Sequence, residues 1–384
     1  MHIPLAKPEI LESDIEAVSK VLRSSRLSQG PALQAFENSL AAYLNVSHAV
    51  AVNSGTSALQ LALRLLKIQE GDEVILPSFS FMAVTNAVLS ARAIPVYVDI
   101  APGTLNMDPE KIEPLLSSRT KAIIAVHSFG YPAPIEKIIA LANKHGLSVI
   151  EDACEAIGAE RNGHKVGTLG NIGIFAFYPN KQITTGEGGA LVTDSETLAG
   201  HARRLSNQGR TPGSEWLQHT DVGYSYRLSD INCVLGLQQL SRIEDILGRR
   251  EKAAGIYRRY LKKNSDIRVY EASPNSRTSW FALPVLLPSG MCQSDRDEIW
   301  RQLKETGIET ARYFPPAHWQ PVVERFPFRR GDLAETVSVS QRLLCLPFFN
   351  SLQEAEIEFV CEALTGLVVN RMEAVQVSNL AIPL

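Results

Sequence analysis

A chain of 384 residues, 45% hydrophobic and 21% charged, is too long for one ordinary domain and suits two, each with a sizeable core. A net charge of −3 without a long run of one sign excludes the usual signatures of nucleic-acid and anionic-membrane partners, though a basic pocket inside a neutral protein stays open. Five scattered cysteines (Cys154, Cys233, Cys292, Cys345 and Cys361) form no CxxC or close pair, and no stretch reaches signal-peptide or transmembrane character, so a soluble, cytoplasmic protein with reduced thiols is expected.

Ser13–Leu22 predicts a first helix, within an N-terminal arm that reaches to about Gly30 and is free to pack on either domain. Short β-branched runs then alternate with helical patterns. Strands are expected at Ala49–Val52, Val74–Leu76, Pro95–Val98, Ala122–Val126, Ser148–Ile150, Ile174–Phe177 and Ala190–Thr193. Helices are expected between them at Ser57–Leu66, Ser80–Arg92, Pro109–Leu116 and Ile135–His145. This alternation reads as an α/β fold, and continuously apolar strands suit a mainly parallel sheet covered on both faces by helices. From the cap residue Ser229 one long helix is expected to run through Arg250 and on towards Tyr257. Arg268–Leu287 then looks strand-rich, and Gln293–Thr306 and Leu352–Leu367 look helical. The expected division is a large domain over 1–245, including the arm 1–30, and a smaller C-terminal α+β domain over 246–384.

Five segments carry candidate chemistry. In Asn53-Ser54-Gly55-Thr56-Ser57 a strand gives way to a helix through small polar residues. Helix-start N–H groups and hydroxyls there would cradle a phosphate, although the segment alone reads better as a plain helix cap. It contains neither GxxxxGK[ST] nor GxGxxG. In Ser148–Cys154 an apolar strand ends in Glu151 and Asp152, where ligands of open α/β sheets bind. A carboxylate in that position serves a cationic ring nitrogen, a metal, or simply a cap. No His/Cys/Asp cluster at ligand spacing supports a metal.

In Ile174–Ala190, Lys181 follows an apolar strand and Pro179, and is followed by TTGEGG. A lysine partly withdrawn from water there can act as a neutral nucleophile. Arg227 beside Tyr224 and Tyr226, and the loop from Arg312 through His318, could meet a phosphate or carboxylate, or merely pack.

Together these segments resemble the DegT/DnrJ/EryC1/StrS aminotransferases, sugar aminotransferases of the fold-type I pyridoxal-phosphate (PLP) superfamily. The resemblance covers nearly the whole chain, through SQGP (28–31), NSGTSAL (53–59), GDEVILPSFSF (71–81), PVYVDI (95–100), EDACEAIGA (151–159), FAFYPNKQITTGEGG (175–189) and GYSYRLSDINCVLGLQQL (223–240). It implies pyridoxal 5'-phosphate as cofactor, Lys181 as its Schiff-base lysine and Asp152 as partner of the pyridine nitrogen. It further implies Gly55, Thr56 and Ser57 as the phosphate turn, Phe81 as the ring-stacking aromatic, and Glu155 near the ring hydroxyl, where many members carry Gln. Two departures stand out. Ala176 occupies a place where the family often has a phosphate-binding Ser, and Ser225 one where it often has an Asn reaching across a dimer interface.

The resemblance also implies an amino-acid donor, glutamate or glutamine, a nucleotide-linked keto sugar as acceptor, ping-pong kinetics and a homodimer. His318 and Arg312 are the candidate substrate contacts, with loops 207–222 and 312–330 as the regions expected to set specificity. Alternatives on the same fold are a dehydratase using the aminated cofactor and a non-catalytic regulatory protein. Dehydratases of this kind replace the lysine, commonly by His, and Lys181 argues against them. A nicotinamide dehydrogenase lacks its GxGxxG here.

Overall fold

The computed structural model describes residues 2–211, 218–262 and 266–380, with side chains described to residue 373. Helices α1 (Glu12–Leu22) and α2 (Pro31–Leu44) lead into β1 (His48–Val52), α3 (Gly55–Leu65), β2 (Glu73–Pro77), α4 (Met82–Ser90), β3 (Ile94–Val98), β4 (Thr120–Val126), α5 (Ile135–His145) and β5 (Ser148–Asp152). A short pair, β6 (Glu160–Arg161) and β7 (His164–Lys165), precedes β8 (Ile172–Ala176), β9 (Gly189–Thr193) and α6 (Glu196–Ser206). The second half holds α7 (Asp230–Ser241), α8 (Ile243–Leu261), β10 (Arg268–Val269), β11 (Ser276–Arg277), β12 (Leu283–Leu286), α9 (Gln293–Glu305), β13 (Arg329–Arg330), α10 (Ala334–Arg342), β14 (Leu343–Leu346) and α11 (Glu354–Leu380).

The large sheet has eight strands in the order β1-β9-β8-β5-β4-β2-β3-β13. Only β9 runs against its neighbours; the other pairings are parallel. Alternate strand residues reach opposite faces, as a pleated strand requires. Val50 and Val52 of β1 enter one core with α3, α4 and α6, whereas Ala49 and Ala51 enter another with α2 and α7. Ile124 and Ile123 of β4 divide in the same way, the latter packing with α5. Burial of both faces explains why these strands read as unbroken apolar runs. A second core gathers α8, α9, α11, β12 and β14.

Several expectations are corrected by these contacts. Pro109–Leu116 forms two short 3-10 turns, at Pro109–Lys111 and Glu113–Leu115, instead of a helix, because Pro114 has no N–H to donate to a helical ladder. The helix from Ser229 breaks at Arg242 (φ −117°, ψ 19°), where the guanidinium makes two hydrogen bonds, of 2.7 and 2.6 Å, to the buried Asp14 carboxylate of α1.

The two cores also do not separate at residue 245, which lies inside α8. Ile243, Ile246 and Leu247 pack under the large sheet, while Ala253, Ala254, Tyr257 and Leu261 pack in the C-terminal core. Residues 317–333 return to the large sheet: Ala317, Val323 and Leu333 join the α3–α4 core, and β13 pairs with β3 through Arg329 and Val96. The arm serves both cores, since Ile3 is buried with the C-terminal one and Asp14 clamps α7. Helices α2, α6 and α10 are additional to the expected elements, α2 opening on Gly30-Pro31 with the Gly30 and Ala32 N–H groups capped by Asp230.

Candidate active site

The turn after β1 is built by its own side chains. Ser54 is the N-cap of α3, its hydroxyl accepting from Ser57 N at 3.0 Å. Ser57 Oγ donates to Asn53 Oδ1 at 2.7 Å, so that hydroxyl is turned into the turn itself. The N–H groups of Gly55 and Thr56 lead the helix, where no intrahelical acceptor exists for them. Ser225 lies alongside: its carbonyl accepts from Asn53 Nδ2 at 3.4 Å, and the neighbouring Tyr226 carbonyl accepts from Asn53 N at 2.8 Å. Of the loop 207–222, residues 212–217 lie outside the described residues.

Strand alternation separates the two carboxylates at the end of β5. Glu151 is fully buried and accepts from His127 Nε2 at 3.0 Å and from the backbone N–H groups of Gly167, Leu169 and Gly170 at 2.8, 2.6 and 2.5 Å. Burial pushes its carboxyl up, but these donors prevail and hold it below the usual range. The role of Glu151 is to tie the 167–170 loop to the sheet. Asp152 emerges on the other side, 7% exposed, with one oxygen accepting from Cys154 N at 3.0 Å. Burial and then the Asp152 charge push the Cys154 thiol far up, which removes it as a nucleophile.

Lys181 sits on the loop between β8 and β9. Thr184 Oγ1 donates to Phe177 O at 3.0 Å and Thr185 Oγ1 to Glu187 O at 2.7 Å, while Gly186 takes φ +82°. The threonines and glycines thus fold the chain back beneath the lysine. A Cβ on Gly189 would stand 2.5 Å from Gly55 N, and one on Gly55 would stand 2.9 Å from both Ala176 Cβ and Cys154 Sγ. These close approaches bring three of the five candidate segments to one place.

The Lys181 side chain is 13% exposed, with Nζ 3.5 Å from Glu155 Oε1 and 4.0 Å from the centroid of the Phe281 ring. Burial raises the Glu155 carboxyl above the usual carboxylate range, with Lys181 and the Phe129 N–H, at 2.8 Å, opposing it. Gln182 Nε2 bridges Glu155 O at 2.7 Å and Ser279 Oγ at 2.8 Å, joining the two cores. Phe129, Ser279 and Phe281 were not singled out by the sequence reading. They lie in apolar stretches without a motif, far along the chain from Lys181.

Phe81 presents 63% of its surface at the start of α4 and lines a cleft of about 610 Å³ together with Trp300, Arg312, Tyr313, Phe314 and Trp319. Arg312 lies 4.2 Å from the Trp300 ring centroid and 3.1 Å from Asp297. His318 does not line this cleft. Its Nδ1 is 2.6 Å from Ser78 Oγ and its ring packs beside Tyr97, so it supports the loop that carries Phe81. Among the described residues no group of three or more His, Cys, Asp or Glu could hold a metal ion, and no helix is long and apolar enough to cross a membrane.

The profile of the DegT/DnrJ/EryC1/StrS aminotransferase family matches residues 8–365. The chain belongs to this family. It is 37% identical to GDP-perosamine synthase of Caulobacter vibrioides, over 96% of this chain and 99% of that protein. Among solved structures it resembles Helicobacter pylori PseC, an aminotransferase involved in the biosynthesis of pseudoaminic acid (28% identity, TM-score 0.92, 96% and 100% of the two chains). It also resembles the PLP form of Spr1654 from Streptococcus pneumoniae (25% identity, TM-score 0.92, 96% and 99%).

As a member of the DegT/DnrJ/EryC1/StrS family the chain is a PLP-dependent aminotransferase. Its residues fit that cofactor: a helix start with free N–H groups, a carboxylate at a strand end and a shielded lysine converge through the glycine contacts above, and the exposed Phe81 ring is linked to the lysine's enclosure through Phe314 and Phe129. Cofactors of this kind bring the electron-accepting chemistry, and the protein brings placement and electrostatics.

Proposed function

We propose that this sugar aminotransferase moves an amino group from glutamate or glutamine to a nucleotide-linked keto sugar, in two half-reactions. The observation that carries the reading is the setting of Lys181, a shielded amine against Glu155 and Phe281 on a loop pressed onto both the α3 start and the Asp152 strand. PLP, when bound, supplies the electron sink. Lys181 would hold it covalently and, as a free amine, would serve as the general acid and base for the substrate's Cα proton. Asp152 keeps the ring nitrogen protonated, since an adjacent anion favours the charged form. The N–H groups of Gly55 and Thr56 would hold the phosphate, with Ser57 bracing their turn through Ser54 and Asn53; Phe81 would cover the ring and Glu155 would meet its hydroxyl. Ser225 contributes across the interface of a homodimer, and Arg312 and His318 serve the acceptor side, the latter through the Ser78–Phe81 loop. The activities of the relatives, GDP-perosamine synthesis and pseudoaminic acid biosynthesis, support a product of the amino-sugar class.

The test is the visible absorption of purified wild type and Lys181→Ala with PLP, followed by borohydride. The expected result is a band in the wild type that bleaches and leaves cofactor fixed on the Lys181 peptide, and none fixed in the variant. A wild type without band or fixed cofactor overturns the reading. Initial-rate plots against donor and acceptor are expected to be parallel; converging lines overturn the two-half-reaction scheme.

A further inference from the structure

We propose that Phe281 is a positioning residue for Lys181: its ring face is the seat of the lysine ammonium whenever that lysine is free of cofactor, and with Glu155 it holds the amine in place between half-reactions. The inference rests on the reading of Lys181 as the cofactor lysine.

The distance of 4.0 Å from Nζ to the ring centroid is well inside the range of a cation–π contact. The ring is 5% exposed and the lysine side chain 13%, so the attraction acts where water competes little. The charged and titratable groups around the amine are the Glu155 and Asp152 carboxylates and the Cys154 thiol, which burial keeps protonated. A ring face differs from these in kind. It draws a cation without taking its proton, so the lysine can be held and still be released.

The backbone that carries the ring is fixed with unusual care for a residue outside any named motif. Phe281 N donates to Phe129 O at 3.1 Å, and Phe129 N donates to Glu155 Oε2 at 2.8 Å. One residue, itself at φ +56°, therefore ties together both walls of the lysine's enclosure. From α8, Arg250 is 3% exposed and donates through Nε to Trp280 O at 2.7 Å and through Nη2 to Phe281 O at 2.9 Å. Its remaining arm bonds Asn350 Oδ1 at 2.6 Å. A buried guanidinium spent on two adjacent carbonyls locks the direction in which the Phe281 side chain leaves the backbone. The small core thus supplies a wall to a lysine that belongs to the large one.

The experiment uses the full-length protein freed of PLP, with the PLP-loaded protein as the control in which Lys181 is protected. Carbamylation of Lys181 by cyanate is followed by peptide mass spectrometry across neutral and alkaline pH. The midpoint of the profile reports how strongly the ammonium form is favoured, and the alkaline plateau reports access. Phe281→Leu, and replacement of Phe281 by the near-isosteric 4-cyanophenylalanine with its electron-poor face, are expected to lower the midpoint and speed labelling at neutral pH by about threefold to tenfold. Phe281→Tyr, which keeps the face, is expected to match the wild type. A raised plateau with an unmoved midpoint, or an equal midpoint shift in Phe281→Tyr, overturns the proposal. If Phe281→Leu fails to fold, the cyano ring decides alone. Because PLP enters only as the protection control and the variants are compared free of it, these outcomes are distinct from failure of the borohydride test.

Discussion

Gly55 rests directly on Ala176, so that a Cβ at position 55 would lie 2.9 Å from the Cβ of Ala176. The contact joins the start of α3 to the end of β8, five residues before Lys181. Gly55→Ala is expected to force these elements apart, at about 1–3 kcal/mol of stability. Urea unfolding would register that loss, and a PLP titration would register weaker binding. Unchanged affinity would mean that the α3 start is not the phosphate cradle.

The same contact gives Ala176 a second use. A hydroxyl added there would stand at the α3 start, next to Gly55. Ala176→Ser is expected to tighten PLP retention about tenfold, as one hydrogen bond to a charged phosphate would. Cofactor release on dilution, followed by fluorescence, measures it.

Glu155 ties stability to pH. Burial raises its carboxyl above 4.5, against the pull of Lys181 and the Phe129 N–H. A raised carboxyl contributes stability that is complete below 4.5 and is lost as pH climbs through the folded value. Glu155→Gln, nearly isosteric, is expected to remove that decline and to gain on the wild type as pH rises. Urea midpoints of the cofactor-free proteins at several pH values give the comparison.

His318 works in the opposite direction. Burial, then the charge of Arg330, holds its imidazole below 6.5. A lowered histidine contributes stability that is complete above 6.5 and is lost as pH falls through the folded value. His318→Asn, which can still pair with Ser78, is expected to flatten this acid limb. Since His318 stands behind the Phe81 loop, the acceptor KM is expected to move less than in Arg312→Ala, where a cleft side chain is lost.

Asp14 anchors the N-terminal arm. Burial pushes its carboxyl up, but the bonds from Arg242, Leu11 N and Gln239 outweigh it and hold it below 3.8. Asp14→Ala strands a guanidinium that is 16% exposed and is expected to cost about 3 kcal/mol, read from denaturant unfolding. A smaller loss would show that the arm docks mainly through its apolar residues.

The sequence by itself determined the α/β class and the strands whose ends carry the candidate residues Lys181 and Asp152 and the Asn53–Ser57 turn. Each of these signals is local. An apolar run ends, and the chemistry stands within a few residues of its end, because sheet ligands gather where strands stop. The burial of both sheet faces was legible for the same reason, as unbroken apolar strands.

Only the tertiary structure decided which neighbours complete the site. It turned Glu151 away from Asp152 into the Gly167–Gly170 loop, set His318 behind Ser78 instead of in the cleft, and broke the α7–α8 stretch at Arg242 over Asp14. It also brought Phe281 to Lys181 across exactly the boundary that the domain reading drew through α8, and returned β13 to the edge of the large sheet. Apart from the Glu151 loop, these pairings join residues a hundred or more positions apart and are set by how the cores pack. Periodicity and local motifs carry no record of that geometry.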